Sequence, residues 1–243
     1  MLDALAMRLG LPSGGPWAVQ LEWKDDVHNH LRETALTEAD VLLSSPHVVI
    51  FCECKFTEPN GGKCSQPKPI ARGGHKGIVQ CDGHYAMQTN RANGLTARCA
   101  LTAKGIRYWE VIPQVTDFLA DADYYPCPFA GPWFQWMRNL TVCHEVARKQ
   151  GKQPAFVLVY ADGPTLPVAS HIKSPEWLRL LGHIRSEIIS FKAVSFQQIV
   201  AMTCEVAPDN SLWGELATWV ERKINHVCQK RQTVRHRGAN RAE

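Results

Sequence analysis

The sequence lacks the segments that would place the protein in a membrane or on a secretory route. Its 243 residues contain no unbroken apolar run of about eighteen or more residues, the length that a helix needs to cross a bilayer. The first residues, MLDALAMRLGLPSGG, also lack the basic start, long apolar stretch and small-residue cleavage site of a signal peptide. We therefore expect a cytoplasmic protein that has no contact with a membrane.

The nine cysteines lack the close C-x2-C pairs that are typical of structural zinc sites. A reducing cytoplasm also disfavours a disulfide framework. Four cysteines fall between residues 57 and 130, namely Cys64, Cys81, Cys99 and Cys127. Four thiolates could bind Zn2+ or an iron-sulfur cluster, and His75 or His84 could replace one of them. Two interpretations stay open: a shared metal, or four buried apolar residues.

The chain has no strong excess of one charge, because its formal net charge is only +4. The charges are unevenly distributed, however. Residues 57–109 include eight basic and two acidic side chains, and the last residues, 234–243, are also basic. We expect that tail to be disordered, since it has almost nothing to bury. Both stretches could approach a polyanion such as DNA, although a modest basic excess is also found on solvated faces.

Hydrophobic residues make up 45% of the chain and charged residues 21%, as in ordinary globular proteins. The apolar pattern predicts three strands, a long region rich in glycine, proline and cysteine, then a helix and a strand covered on both faces. These segments are 17–23, 39–43, 48–56, 57–130, 132–151 and 155–162. An amphipathic helix around 175–191 and a terminal helix beginning near 211 are predicted beyond them.

The third predicted strand, VVIFCECKF, changes character along its length. Alternation places Val49, Phe51, Glu53 and Lys55 on one face, which begins apolar and ends charged. The preceding SSPH has the composition of a turn. A four-residue hairpin loop would pair Leu43 with Val48 and place Asp40 opposite Phe51, diagonal to Glu53.

Asp40, Glu53 and Lys55 form the pattern D-x12-E-x-K, with Glu22 on a neighbouring strand. Carboxylates that crowd together repel each other unless a cation lies between them, and carboxylate oxygens suit Mg2+ or Mn2+. A bound metal would activate water, and Lys55 would project from the same face about 7 Å beyond Glu53. The alternative is a half-exposed strand that carries a surface ion pair.

This arrangement resembles the PD-(D/E)XK superfamily of restriction-endonuclease-like nucleases. The resemblance extends from about Trp17 to Asp162. It includes the short sequence segments TEADVLL, FCECKFTEP, CALTAKGIRYW, CPF and QWMRN. It implies an α/β fold with an αβββαβ core, a mixed central sheet and, here, a cysteine-containing insertion. It also implies that Asp40 and Glu53 bind the metal, that Lys55 is the catalytic lysine, and that Glu22 is an auxiliary acid.

Two polar residues of the predicted helix extend this resemblance. Gln135 and Arg138 lie three residues apart and therefore on one side of the helix. A glutamine on this helix approaches the active site in several branches of the superfamily, so both are candidates for contacting substrate. They could equally form the polar edge of an amphipathic helix. One departure from the superfamily pattern is the segment before the first strand, which is short for the helix expected there.

These observations predict three regions: a nuclease core over 1–162 that includes the 57–130 insertion, a mainly helical extension over 163–233, and the basic tail over 234–243. The expected function is a metal-dependent DNA endonuclease or exonuclease, with Mg2+ or Mn2+ as cofactor and DNA as partner. The alternatives are a nucleic-acid-binding module with an inactive nuclease site and a metal-stabilised interaction scaffold. A homodimer or a recruiting protein partner is compatible with each of them.

Overall fold

The structure is a computed structural model that describes residues 1–74, 76–79, 81–85, 99–119 and 122–239, with the backbone alone at 100, 103 and 234–239. His75, which the sequence offered as a spare metal ligand, lies outside these residues. So do Arg91 and Arg98 of the basic region and positions 240–243 of the tail.

The described residues form one mixed sheet whose five strands lie in chain order. The first strand is antiparallel to the second, and the second is antiparallel to the third. The third, fourth and fifth strands run parallel to one another. The strands are β1 (Ala18–Lys24), β2 (Glu38–Ser44), β3 (Val48–Lys55), β4 (Gln153–Tyr160) and β5 (Ser190–Ser195). Helices before β1 and between β3 and β4 complete the predicted αβββαβ order.

The helices lie at the start of the chain, within the insertion and throughout the C-terminal third. They are α1 (Leu2–Arg8), α2 (Ala100–Ala103), α3 (Tyr108–Val115), α4 (Phe134–Gln150), α5 (Pro167–His171), α6 (Pro175–His183), α7 (Phe196–Val206) and α8 (Ser211–Ala239). Helix α4 ends as the sequence predicts, at Gly151, whose positive φ of 65° suits a glycine C-cap. No helix in the described ranges is long and apolar enough to span a bilayer.

The two faces of the sheet are covered by different helices. Helix α4 packs on β3 and β4 and, with α3 and the insertion, builds the larger core around Phe51, Trp136 and Phe156. Helices α1 and α7 contact each other across the opposite face, where Leu5 and Met202 join the apolar side chains of β3 and β4. Short as it is, α1 therefore takes the place expected for the first helix of the core.

The β2–β3 hairpin differs in register from the sequence prediction. Leu43 pairs with Ile50 rather than with Val48. The turn is tighter than expected because Ser45 N–H donates to the Val48 carbonyl at 2.9 Å, while the Ser45 hydroxyl accepts the Val48 amide at 3.2 Å. A shift of two residues preserves the side-chain faces. It brings Asp40 level with Glu53 instead of diagonal to it.

Strand β1 is irregular at Glu22. This residue adopts a left-handed backbone with φ of 50°, a conformation that costs energy for a residue other than glycine. Val19 and Leu21 are exposed before it, whereas Trp23 after it turns into the core and meets the Phe51 ring at 4.8 Å. Leu21 and Trp23 therefore do not share one buried face of β1.

The C-terminal third also departs from the pattern in two places. The helix predicted over 175–191 ends at His183, and residues 190–195 instead add β5 to the sheet beside β4. Helix α8 continues through Ala239, so the tail expected to be disordered begins inside a helix. A helix that has already formed gains one backbone hydrogen bond for each residue it adds, which favours this extension.

Candidate active site

The charged end of β3 lies where the sheet opens towards the loops that follow β1, β3 and β4. Lys55 Nζ donates to Glu53 Oε1 at 2.7 Å, and the two side chains are only 8% and 4% exposed. The surface ion pair considered from the sequence is therefore buried. A buried charge pair is costly unless further hydrogen bonds satisfy it, which directs attention to its neighbours.

Those neighbours come from the first turns of α4. Gln135 Nε2 donates to Glu53 Oε1 at 2.5 Å, and Gln135 Oε1 accepts from Lys55 Nζ at 3.1 Å. Asn139 Nδ2 donates to the other carboxylate oxygen, Glu53 Oε2, at 2.7 Å. Residues four apart lie on one face of a helix, so Gln135 and Asn139 approach Glu53 together. Both oxygens of Glu53 are thus held in fixed directions.

The sequence analysis did not name Asn139 as a candidate site residue, although it belongs to the segment QWMRN that contributed to the resemblance. Its side chain is almost wholly buried, with 2% of the residue exposed. The available signal was its position four residues after Gln135 on the same predicted face. A buried amide in that position needs a polar partner, and the strand that faces it offers Glu53.

Asp40 approaches the same place from β2. Its Oδ2 accepts the backbone N–H of Cys54 at 2.5 Å, in place of a β2 backbone carbonyl. Among the described residues no hydrogen-bond donor reaches its second oxygen, Oδ1. The β2–β3 pairing reaches Val41 and Cys52, so Asp40 and Glu53 are the next residues of the two strands. The charge of Asp40 acts on Glu53, so an oriented carboxylate oxygen is available beside the Glu53–Lys55 pair.

The electrostatics of Glu53 reflect this crowding. Burial raises the pKa of its carboxyl above the ordinary value, the charge and hydrogen bond of Lys55 oppose the increase, and the negative charge of Asp40 adds to it. Burial likewise raises the pKa of the Cys54 thiol to about 12, with added increases from Asp40, Glu53 and Glu22. Several carboxylates therefore surround the end of β3, and a cation among them would favour their ionised forms.

Glu22 is the most exposed of these acids. The pairing of Leu21 with Val41 and of Trp23 with Ala39 brings Glu22 level with Asp40 on the neighbouring strand. Glu22, Asp40 and Glu53 consequently occupy one row across three adjacent strands. The exposed side chain of Glu22 stands at the outer end of that row.

Arg138 does not join the network around Glu53. Its Nε donates to Glu33 Oε1 at 2.9 Å and its Nη2 to the Ala35 carbonyl at 2.7 Å. Tyr108 also donates to Glu33, whose other oxygen accepts the Thr37 amide at 2.8 Å. The sequence prediction grouped Arg138 with Gln135, but the structure commits Arg138, whose side chain is 22% exposed, to an ion pair with the buried Glu33 carboxylate. That pair anchors the β1–β2 loop, which leads into the strand that carries Asp40.

The four cysteines of the insertion meet at a separate place. Cys64, Cys81, Cys99 and Cys127 line one cavity of about 20 Å3, with His84 at its wall. His84 Nδ1 lies 2.7 Å from Asp123 Oδ1. None of the described cysteines forms a disulfide. In the ranges that the structure covers, no three or more His, Cys, Asp or Glu side chains are grouped so that they could hold a metal ion as they stand.

Comparisons with known proteins agree with this architecture at the level of the family. No curated protein and no solved structure matches the chain. A family model with the description Restriction Endonuclease associating with ARP matches residues 1–218. That range contains the whole sheet and the network around Glu53, and it confirms a restriction-endonuclease-like α/β core. The chain thus belongs to the family Restriction Endonuclease associating with ARP.

Proposed function

We propose that this protein is a metal-dependent DNA phosphodiester hydrolase of the PD-(D/E)XK type, acting as an endonuclease or exonuclease. The observation that carries the proposal is the network in which Lys55, Gln135 and Asn139 hold Glu53 while Asp40 stands level with it on the next strand. Removing a carboxylate and a lysine from water costs free energy that their hydrogen bonds only offset, so a buried pair of this kind is weak evidence of a purely stabilising role. That cost is explained if the two groups act on a substrate.

The donor set fits a hard divalent cation, Mg2+ or Mn2+. Asp40 contributes a carboxylate oxygen with no hydrogen-bond donor among the described residues, and Glu53 contributes a carboxylate whose ionisation is opposed by burial. Two carboxylates are enough, because Mg2+ commonly takes one or two from the protein and completes its shell with water and phosphate oxygens. A cation bound there would acidify a water molecule and stabilise negative charge on the phosphoryl group.

The chain's own groups have separate roles in this proposal. Lys55 presents three N–H donors, of which two are directed to Glu53 and Gln135. The third is available to hold the attacking water or a phosphoryl oxygen as negative charge develops. Gln135 and Asn139 fix the Glu53 carboxylate, so that its oxygens need not reorganise when substrate binds. Arg138 does not contact Glu53 directly. It holds the loop before β2 through its bonds to Glu33 and to the Ala35 carbonyl.

Basic side chains of the insertion support DNA as the substrate class. Lys63, Lys68, Arg72, Lys76, Lys104 and Arg107 lie in the described part of this region. Two of them already have local partners, because Lys104 donates to Gln66 at 3.1 Å and Arg107 to Glu110 at 2.6 Å. The remaining ammonium and guanidinium groups could contact phosphates without fixing a base sequence.

The test is a cleavage assay on supercoiled plasmid and on single-stranded DNA, with Mg2+, Mn2+ and EDTA compared. Wild type should cut only with metal, and Glu53→Gln should be inactive. Glu205→Gln, which changes an exposed acid on α7, serves as the matched control and should cut normally. A folded wild type that binds DNA but cuts neither substrate would refute the hydrolase and favour the binding-module alternative.

A further inference from the structure

The charges of helix α8 are unevenly distributed along its length. Residues 211–221 contain two acidic residues and no lysine or arginine, whereas residues 222–242 contain seven lysines and arginines and no acidic residue. The match to the family model ends at residue 218, so the basic part of α8 lies beyond it. Neither the sheet nor the network around Glu53 uses this basic part, which therefore calls for an explanation of its own.

One face of α8 is apolar and packs on the loop that follows β4. Val220, Ile224 and Cys228 are buried, and their four-residue spacing places them on the same side of the helix. Gly163 of the loop permits this contact, because a Cβ atom there would lie only 2.9 Å from Cys228 Sγ and 3.1 Å from Ile224 Cγ2. The Thr165 hydroxyl donates to the Cys228 carbonyl at 3.4 Å. Helix α8 is therefore fixed to this loop.

The loop after β4 belongs to the same edge of the sheet as the candidate active site. Tyr160 at the end of β4 is the parallel partner of Lys55, and the backbone N–H of Ala161 donates to the Lys55 carbonyl at 3.0 Å. Gly163 follows Ala161 by two residues, which span at most about 7 Å. Its contact with Cys228 therefore lies no more than about 16 Å from the Lys55 backbone. That distance corresponds to about five nucleotides of one strand of B-DNA, at about 3.4 Å along the axis for each.

A row of basic residues follows another side of α8. Lys223 and Lys230 are exposed and lie seven residues apart, which is close to two helical turns. Arg237 continues the same spacing on the described backbone of the helix. At the rise of an α-helix, the three positions are about 10.5 Å apart and extend over about 21 Å. Lys223 and Lys230 lie about 100° and 120° around the helix from Ile224, so the packing on Gly163 leaves both accessible.

The ammonium groups of this row keep their charge available for an anion. Among the described residues, no carboxylate forms a salt bridge with Lys223 or Lys230. Lys223 Nζ lies 5.4 Å from the centre of the Trp219 ring, a contact that does not neutralise it. A helix that lies on a membrane needs a free apolar face, but from Val220 onward the apolar face of α8 is covered by the loop after β4. The row therefore favours a hydrated polyanion over a lipid surface.

We propose that Lys223, Lys230 and Arg237 form a phosphate-binding row that holds DNA beside the carboxylate site. This inference rests on the nuclease function proposed above. Phosphates of one strand of B-DNA follow each other at about 3.4 Å along the axis, so a row of about 21 Å spans about six base pairs. Contacts of this kind fix the position and orientation of the duplex without reading its sequence. Helix α8 therefore contributes affinity for DNA in general and not a preference for one sequence.

The salt dependence of DNA binding tests the row. The fluorescence anisotropy of a short labelled duplex, measured in EDTA over a series of KCl concentrations, reports binding without cleavage, so an inactive nuclease site would not affect the result. The triple variant Lys223→Gln, Lys230→Gln and Arg237→Gln should bind DNA more weakly than wild type. Its slope of log K against log [KCl] should be smaller in magnitude by about 2.7, at about 0.9 for each lost phosphate contact.

A second triple variant provides the matched control. Arg8→Gln, Lys149→Gln and Lys192→Gln remove the same total charge from exposed positions on α1, α4 and β5. This variant should keep the affinity and the slope of wild type. Equal weakening in both variants would indicate a general effect of net charge and would overturn the proposal. A row variant with unchanged affinity and slope would also overturn it, while leaving the proposed hydrolase unaffected.

Lysine acetylation of the wild-type chain gives a measurement that needs no variant. In the presence of duplex DNA, Lys223 and Lys230 should react more slowly with an acetylating reagent than in the free protein, as followed by mass spectrometry. Lys149 and Lys192 should react at the same rate in both samples. Equal reactivity of the two α8 lysines with and without DNA would overturn the proposal. Protection of these lysines by vesicles of anionic phospholipid but not by DNA would overturn it as well.

Discussion

Asn139 offers the sharpest test of the active-site network, because its side chain has one clear role. Its Nδ2 donates to Glu53 Oε2 at 2.7 Å, inside a site where Glu53 is 3% exposed. Asn139→Leu keeps the number and branching of the side-chain heavy atoms and removes the donor. A hydrogen bond to a charged group contributes about 1.5–3 kcal/mol. If the full amount acts on the productive form of the site, cleavage should fall by roughly 10- to 150-fold, at about 1.4 kcal/mol for each factor of ten.

The pH dependence provides a second readout of the same change. Burial already raises the pKa of Glu53 in the folded protein, and loss of the Asn139 donor should raise it further. The acidic limb of the pH–rate profile should therefore move to higher pH in Asn139→Leu. For stability, a carboxyl whose folded pKa is raised binds more protons in the folded state, so unfolding becomes easier as pH rises from the ordinary value through the folded pKa. The variant's loss of stability should accordingly be larger at about pH 8 than at about pH 5.

A double-mutant cycle with Glu53→Gln separates this role from ordinary packing. The amide introduced by Glu53→Gln is neutral and has little need of the Asn139 donor, so Asn139→Leu should cost much less stability in that background than in wild type. Urea unfolding at constant pH measures all four corners of the cycle. Additive effects, with a coupling below about 0.5 kcal/mol, would mean that Asn139 does not act through the Glu53 charge, and the reasoning would be refuted.

Three other predictions concern the remaining charged residues. Asp40→Asn should abolish cleavage yet leave melting in metal-free buffer nearly unchanged, because the amide oxygen can still accept the Cys54 N–H; a large drop in melting temperature would make Asp40 structural. Lys55→Ala should remove turnover and keep Mn2+ binding by calorimetry, whereas an active variant would contradict the catalytic role. Arg138→Ala should destabilise the fold by about 3–5 kcal/mol in urea unfolding, since it leaves the buried Glu33 carboxylate without its cation; unchanged stability would contradict the anchoring role.

Much of the sheet was predictable because its strands carry strong local patterns. The continuous apolar run of β4 and the changing face of β3 appear where alternation and length predict them. Helix α4 begins after Pro132 and ends at Gly151, two residues whose backbone preferences are local. Strand β5 was missed, because Ile184, Ile188 and Phe191 continue the apolar spacing of α6. Only the edge of β4 gives that segment a backbone partner.

The candidate site was predictable to a similar extent. Glu53 and Lys55 share a face in any extended conformation, so their proximity follows from sequence alone. The position of Asp40 depended on the turn, and the Ser45 hydrogen bonds moved it by two residues along the partner strand. Arg138 lies one helical turn from Gln135, yet it pairs with Glu33, which is far away in the sequence. Spacing along a helix indicates a face but does not identify the charge that lies opposite.

The amino-acid sequence was enough to establish the fold class, the strand that carries Glu53 and Lys55, and the helix that covers it, since these follow from periodicity and from residues adjacent in the chain. Three features depended on the folded chain: Asn139 holds Glu53, the acids of β1, β2 and β3 form one row, and four scattered cysteines line one cavity. These contacts join residues many positions apart. Their free energy depends on burial and on partners that become neighbours only when the chain has folded.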